Sequence, residues 1–105
     1  MKAESHLAMF FYYMAQSKTL SPTHISIYLC LCHQWSAQNY SESFQINRRE
    51  IMSKSRIQSN STYHKCIQDL QAMDLILYFP SYHPKLGSLI YVKPLGELPT
   101  RKIGV

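Results

Sequence analysis

The stretch Asn47-Arg48-Arg49-Glu50-Ile51-Met52-Ser53-Lys54-Ser55-Arg56-Ile57-Gln58-Ser59-Asn60-Ser61-Thr62-Tyr63-His64-Lys65-Cys66-Ile67 decides how this chain folds. It opens on a helix-start signature, with Asn47 as cap and Glu50 three residues on, placed to reach back to it. The helix so started is short, holding Ile51 and Met52 before Ser53-Lys54-Ser55 breaks it. A polar turn through Arg56-Ile57-Gln58 leads to a second capping residue, Ser59. From there a longer helix is predicted to about Met73. Tyr63, Cys66, Ile67, Leu70 and Met73 recur at helical spacing on one face, and Ser61, His64, Lys65, Gln68 and Ala72 lie opposite.

The flanks complete the pattern. Upstream, Leu20-Ser21-Pro22-Thr23 marks a sharp helix start, since Ser21 can cap and proline at the first helical position loses no needed N–H. The helix that follows is apolar nearly all round, with Ile25, Leu29, Cys32 and Trp35 as its stripe and Ile27, Tyr28 and Leu31 beside it, which makes it the central helix. It ends near Asn39-Tyr40-Ser41, and Ser43-Phe44-Gln45-Ile46 alternates like a brief strand. Further upstream, residues 5–17 form a first helix that is greasy on more than one side. Phe10, Phe11, Tyr13 and Met14 either face a second subunit or are wrapped by the rest of the core. Downstream, Leu75-Ile76-Leu77-Tyr78-Phe79 and Ser88-Leu89-Ile90-Tyr91-Val92 pair as a hairpin around a proline- and glycine-bearing turn from Pro80 to Gly87.

Composition bounds the rest. A chain of 105 residues, 46% of them hydrophobic, holds one domain with a core that needs neither disulfide nor metal. Residues 1–94 are expected to form that domain and 95–105 a flexible basic tail. Three cysteines without framework spacing (Cys30, Cys32, Cys66), and no secretory signal, fit a cytoplasmic protein. Charge is divided unevenly. Residues 1–47 carry two basic and two acidic side chains, whereas residues 48–105 carry nine basic against four acidic, so the whole excess of +5 sits in the second half. That imbalance points to a polyanionic partner there.

The predicted order is helix, helix, strand, short helix, turn, capped helix, hairpin. The fold class is mainly α with a small antiparallel β hairpin (α+β). Two short helices across a tight turn, over about 47–73, follow the helix-turn-helix plan, and the hairpin over about 75–93 adds a wing. The chain here resembles the winged helix-turn-helix transcriptional regulators of bacterial genomes and mobile elements. Leu20-Ser21-Pro22-Thr23-His24-Ile25-Ser26, Ser61-Thr62-Tyr63-His64-Lys65-Cys66-Ile67 and Gly87-Ser88-Leu89-Ile90-Tyr91 carry the resemblance, whose order and spacing cover about residues 20–92. Asp74 stands where many such proteins have glycine after the recognition helix, and aspartate tolerates the left-handed backbone better than most residues. The resemblance implies sequence-specific binding of double-stranded DNA, in transcription regulation or as a replication or recombination accessory of a mobile element.

Residue chemistry points the same way. Ser59, Asn60, Ser61 and Thr62 offer hydroxyls, an amide and free N–H groups at the positive end of the recognition helix, with His64, Lys65 and Gln68 on or near its outward face. Arg48, Arg49, Lys54 and Arg56 are expected over the phosphate backbone, and His83 and Lys85 of the wing over the minor groove or its flank. A homodimer would double a limited recognition surface. The rival reading is a protein–protein or dimerisation module working through the aromatic first helix. Single-strand binding would need exposed aromatics, and most tyrosines here fall on core stripes. No cofactor or metal is expected: Cys30 and Cys32 are two apart on a helix and diverge. No catalysis is expected either, since Cys66 lies on the apolar stripe and His64 opposite.

Overall fold

The computed structural model describes residues 2–81 and 87–95, with side chains from His6 onward. Four helices and three short strands follow in the order α1 (Lys2–Gln16), α2 (Pro22–Ala37), β1 (Phe44–Ile46), α3 (Arg48–Ser55), α4 (Asn60–Ala72), β2 (Ile76–Phe79) and β3 (Ser88–Val92). The fold is therefore mainly helical with a small antiparallel sheet. Two compact units divide the chain: Ser21–Lys93 in one, and Met1–Leu20 with Pro94–Val105 in the other. The expected tail, apart from Leu95, lies outside the described residues, as do His83 and Lys85.

Within Ser21–Lys93, α2 is the element on which α3, α4 and β1 all pack, while β2 packs on α4. Its inward side chains Ile27, Tyr28 and Leu31 have no exposed surface. They meet Ile51 of α3, Tyr63, Ile67 and Leu70 of α4, and the inner face of the sheet as one core, each large apolar side chain contributing about 1.5–3 kcal/mol on burial. The inner stripe of α2 differs from the predicted one. His24, Ile27, Tyr28 and Leu31 are buried, whereas Leu29 is exposed and Ile25, Cys32 and Trp35 are half-buried. A helix apolar on every side carries no phase in its hydrophobic pattern, so the neighbours decide which face turns in.

The expected pairing of β2 with β3 is present, and β1 joins it as a third strand. The strand order is β1-β3-β2, both pairings antiparallel, with Phe44 opposite Ile90 and Tyr78 opposite Ile90 on the other side. Phe44, Ile46, Ile76, Ile90 and Val92 point inward and are buried, while Phe79 and Leu89 are exposed on the outer face. Both margins of this sheet are occupied by glutamines. The Gln38 carboxamide donates to the Gln45 carbonyl at 2.8 Å and accepts the Gln45 N–H at 3.3 Å, and the Gln71 side chain accepts the Tyr78 N–H at 2.7 Å.

Local chemistry sets the boundaries. Ser21, Asn47 and Ser59 each accept a first-turn N–H as caps of α2, α3 and α4. Only half of the capping box expected at α3 forms: Asn47 accepts the Glu50 N–H, but the Glu50 carboxylate lies 3.9 Å from Lys54. That helix also runs further than expected, through Ser53 and Lys54 to Ser55. The buried Ser55 hydroxyl donates to the Ile51 carbonyl at 2.6 Å, which lets a polar residue sit inside the last turn without an unmet bond. Arg56 and Asp74 take up the left-handed conformation after α3 and α4, with φ of 64° and 66°. Aspartate does fill the turn where glycine is the easier residue.

Gly87 enters β3 at φ +67°, and a Cβ on it would lie 2.6 Å from the Ile46 carbonyl oxygen. Gly87→Ala is therefore expected to cost about 1–3 kcal/mol, from left-handed strain plus displacement of β1. Urea unfolding of the two proteins measures this, and equal midpoints would contradict the β1–β3 pairing.

Candidate functional site

The outward face of α4 is built by periodicity. Tyr63, Cys66, Ile67 and Leu70 turn into the core, so Ser61, His64, Lys65 and Gln68 must turn out, and all four are exposed. At its start the Ser59 hydroxyl accepts the Thr62 N–H at 3.2 Å and lies 2.9 Å from the Ser61 hydroxyl, with Asn60 exposed beside them. His64 is steadied by an edge-on contact with the Tyr63 ring at 5.3 Å. The face is polar from its first residue to Gln68.

The basic residues divide into paired and free. Lys65 lies 3.3 Å from Asp69, one helical turn on, and Lys93 is paired with Asp74. Lys54 and Glu50, about half exposed each, sit 3.9 Å apart, a spacing worth a few tenths of a kcal/mol at most. Arg48, Arg49 and Arg56 are exposed and make no ion pair with another described residue. Arg48 and Arg49 stand at the first turn of α3 and Arg56 just past its last, about 12 Å apart along the axis. They form two positive ends of one short helix. Arg56, Ile57, Gln58, Ser59 and Thr62 line a shallow open depression with Thr23, so the turn between α3 and α4 opens beside the start of α2.

One group went unnoticed in the sequence. His24 is buried, and it clamps the start of α2 to α4. Its Nδ1 accepts the Ser21 backbone N–H at 2.9 Å and faces the Ser21 hydroxyl at 2.9 Å. A ring nitrogen that accepts an N–H carries no proton, so Nε2 holds it and donates to Asp69 Oδ2 at 2.9 Å. Histidine thus fills the third helical position that glutamate or glutamine usually takes in a capping box, and Ser-Pro-Thr-His was the available signal. A serine, a histidine and a carboxylate in hydrogen-bond sequence invite comparison with a hydrolytic triad. Here the Ser21 oxygen accepts the His24 N–H at 3.3 Å and the adjacent ring nitrogen is taken by the backbone, so both are committed to the cap.

The thiols are similarly unreactive. Burial pushes all three upward, Cys32 to about 12, and Asp69 adds to the rise at Cys66. Thiols so held stay protonated and are poor nucleophiles. Among the described residues no three His, Cys, Asp or Glu side chains come together as a metal site. No described helix is long and apolar enough to cross a membrane. On α1, Leu7, Phe11 and Tyr12 are exposed; Phe10, expected on a partner face, is buried, and Tyr13 and Met14 are half-buried. Comparison with protein-family models, curated proteins and solved structures finds no match to this chain.

The His24 hydrogen bond, aided by Lys65, holds the Asp69 carboxyl below its ordinary range. The unfolded chain therefore takes up this proton first, so the stabilising contribution is complete above about pH 4 and lost as pH falls through the lower folded-state value. Asp69→Asn should lose less melting temperature than the wild type on acidification through that range. Parallel melting curves for the two proteins would show that Asp69 adds nothing to the clamp.

Proposed function

We propose that this protein binds double-stranded DNA sequence-specifically, as a winged helix-turn-helix regulator with no catalytic step of its own. The observation that carries the reading is a polar, exposed α4 face together with three exposed arginines, at the two ends of α3, that make no ion pair with a described carboxylate. Arginine is weakly hydrated and matches phosphate with a rigid fork, so free arginines suit a phosphate backbone better than lysines already paired to aspartates. In this reading α4, about 20 Å long, lies in the major groove with Asn60, Ser61, His64, Lys65 and Gln68 toward base edges. Arg48, Arg49 and Arg56 take phosphates at the two ends of α3. The order α2, β1, α3, α4, β2, β3, with β3 between the other two strands, supports the winged arrangement. Transcription, replication and recombination on a mobile element would all use such a surface.

A second reading draws on α1, where exposed Leu7, Phe11 and Tyr12 would suit a protein partner, including a second copy of the chain. The two readings use different residues, so one experiment separates them.

Anisotropy of a labelled duplex across a salt series should show affinity falling with a slope of about −0.9 per phosphate contacted. An Arg48→Ala/Arg49→Ala/Arg56→Ala variant should bind more weakly, with a slope shallower by up to about 2.7 if each arginine meets one phosphate. Failure of the wild type to bind duplex at low salt would end the DNA reading, and an unchanged slope in the variant would move the interface off α3.

A further inference from the structure

His24 and Lys65 share a single acceptor atom. Asp69 Oδ2 takes the His24 Nε2–H at 2.9 Å from the buried side and the Lys65 ammonium at 3.3 Å from the solvent side. Their side chains differ sharply in exposure, 10% for His24 and 75% for Lys65. Because Nδ1 accepts the Ser21 N–H, His24 is neutral in this geometry, and the full negative charge of Asp69 is left to Lys65. The ammonium is drawn back along α4 toward its C-terminal half.

A proton added to His24 has one place to go, Nδ1, since Nε2 already holds one. The imidazolium then pairs with Asp69 from inside, and the carboxylate has no net charge left to restrain Lys65. We propose that His24 and Asp69 form a proton-controlled restraint on Lys65, tying it to α4 when His24 is neutral and freeing it for DNA when His24 is charged. For its ligand this rests on the DNA-binding reading above; for its mechanism it rests on the shared oxygen. The ionisable groups that meet at Asp69 are His24 itself, from α2, and, from α4, Lys65 and the thiol of Cys66, which burial and Asp69 push upward. Arg56, by the depression next to Thr23, adds a positive charge that does not vary with pH. The same proton costs the Ser21 N–H its acceptor, which loosens the cap of α2 as Lys65 is released.

The test is duplex binding at constant ionic strength at about pH 7.5 and about pH 5.5. Every protein carries His64→Gln, so that the histidine placed toward base edges does not itself answer to pH, and this parent is compared with its His24→Gln and Asp69→Asn versions. The parent should tighten by roughly one-and-a-half to fivefold on acidification, the range one surface ion pair spans. His24→Gln should not respond, and Asp69→Asn should already bind tightly at the higher pH and stay there. A pH response retained by His24→Gln overturns the proposal. One retained by Asp69→Asn also overturns it, because the His24 charge would then act through space and not through Asp69. If neither wild type nor this parent binds duplex at either pH, it is the DNA reading that fails, and the restraint is judged on the free protein. There the Lys65 ammonium signals, followed by NMR, should move with the His24 ring titration in wild type. Signals indifferent to that titration overturn the restraint itself.

Discussion

The complete burial of Ile27, Tyr28 and Leu31 on α2 is the constraint from which the rest of the Ser21–Lys93 unit follows. These side chains span little more than one helical turn, yet helices α3 and α4 and strand β1 all rest on the helix that bears them. Short elements cannot hold themselves. α3 has eight residues and β1 three, lengths at which neither helix nor strand persists alone in water. Their geometry is borrowed from α2, and so is the angle at which α4 presents its polar face. A Tyr28→Ala cavity would accordingly disturb elements that share no sequence neighbourhood with it.

Electrostatics then sorts the basic residues that composition could only count. Lysines near aspartates are drawn into pairs at Lys65–Asp69 and Lys93–Asp74, and the pairs serve the fold: one is joined to the His24 clamp, the other spans from the turn after α4 to the end of β3. The arginines of α3 and its following turn make no ion pair with a described carboxylate. Among the described residues of that half, the basic side chains outside any ion pair are thereby narrowed to Arg48, Arg49 and Arg56. This division is why the proposed DNA contacts weigh on Arg48, Arg49 and Arg56 more than on Lys65.

Much of this was legible in the residues, and what was not has physical reasons. Caps announce themselves through local chemistry, so Ser21, Asn47 and Ser59 could be read directly, as could the two-faced pattern of α4 and the left-handed turn at Asp74. The pairing of β1 with β3 joins residues more than forty positions apart, and no local pattern in Phe44-Gln45-Ile46 reports its partner. The phase of α2 was hidden by its own uniform hydrophobicity. His24 escaped notice because a histidine between threonine and isoleucine has no meaning until Asp69 is brought to 2.9 Å. For the candidate site, residue types on α4 were readable while their ion pairing was not, since pairing is decided by distance. His83 and Lys85 lie outside the described residues.

The glutamines at the sheet margins carry one more consequence. A three-residue strand turns one residue's amide and carbonyl outward, and at β1 that residue is Gln45, with both groups taken by Gln38. At the opposite margin Gln71 takes the outward Tyr78 amide. A visiting extended segment therefore finds these backbone partners already engaged, although Phe79 and Leu89 make the outer surface sticky. Beside those exposed apolar residues, the engaged groups shorten the open ladder on which cross-β growth starts. Crowded at high concentration, such molecules would sooner touch and part than knit together, a tendency that two uncharged carboxamides supply without adding a charge to the surface.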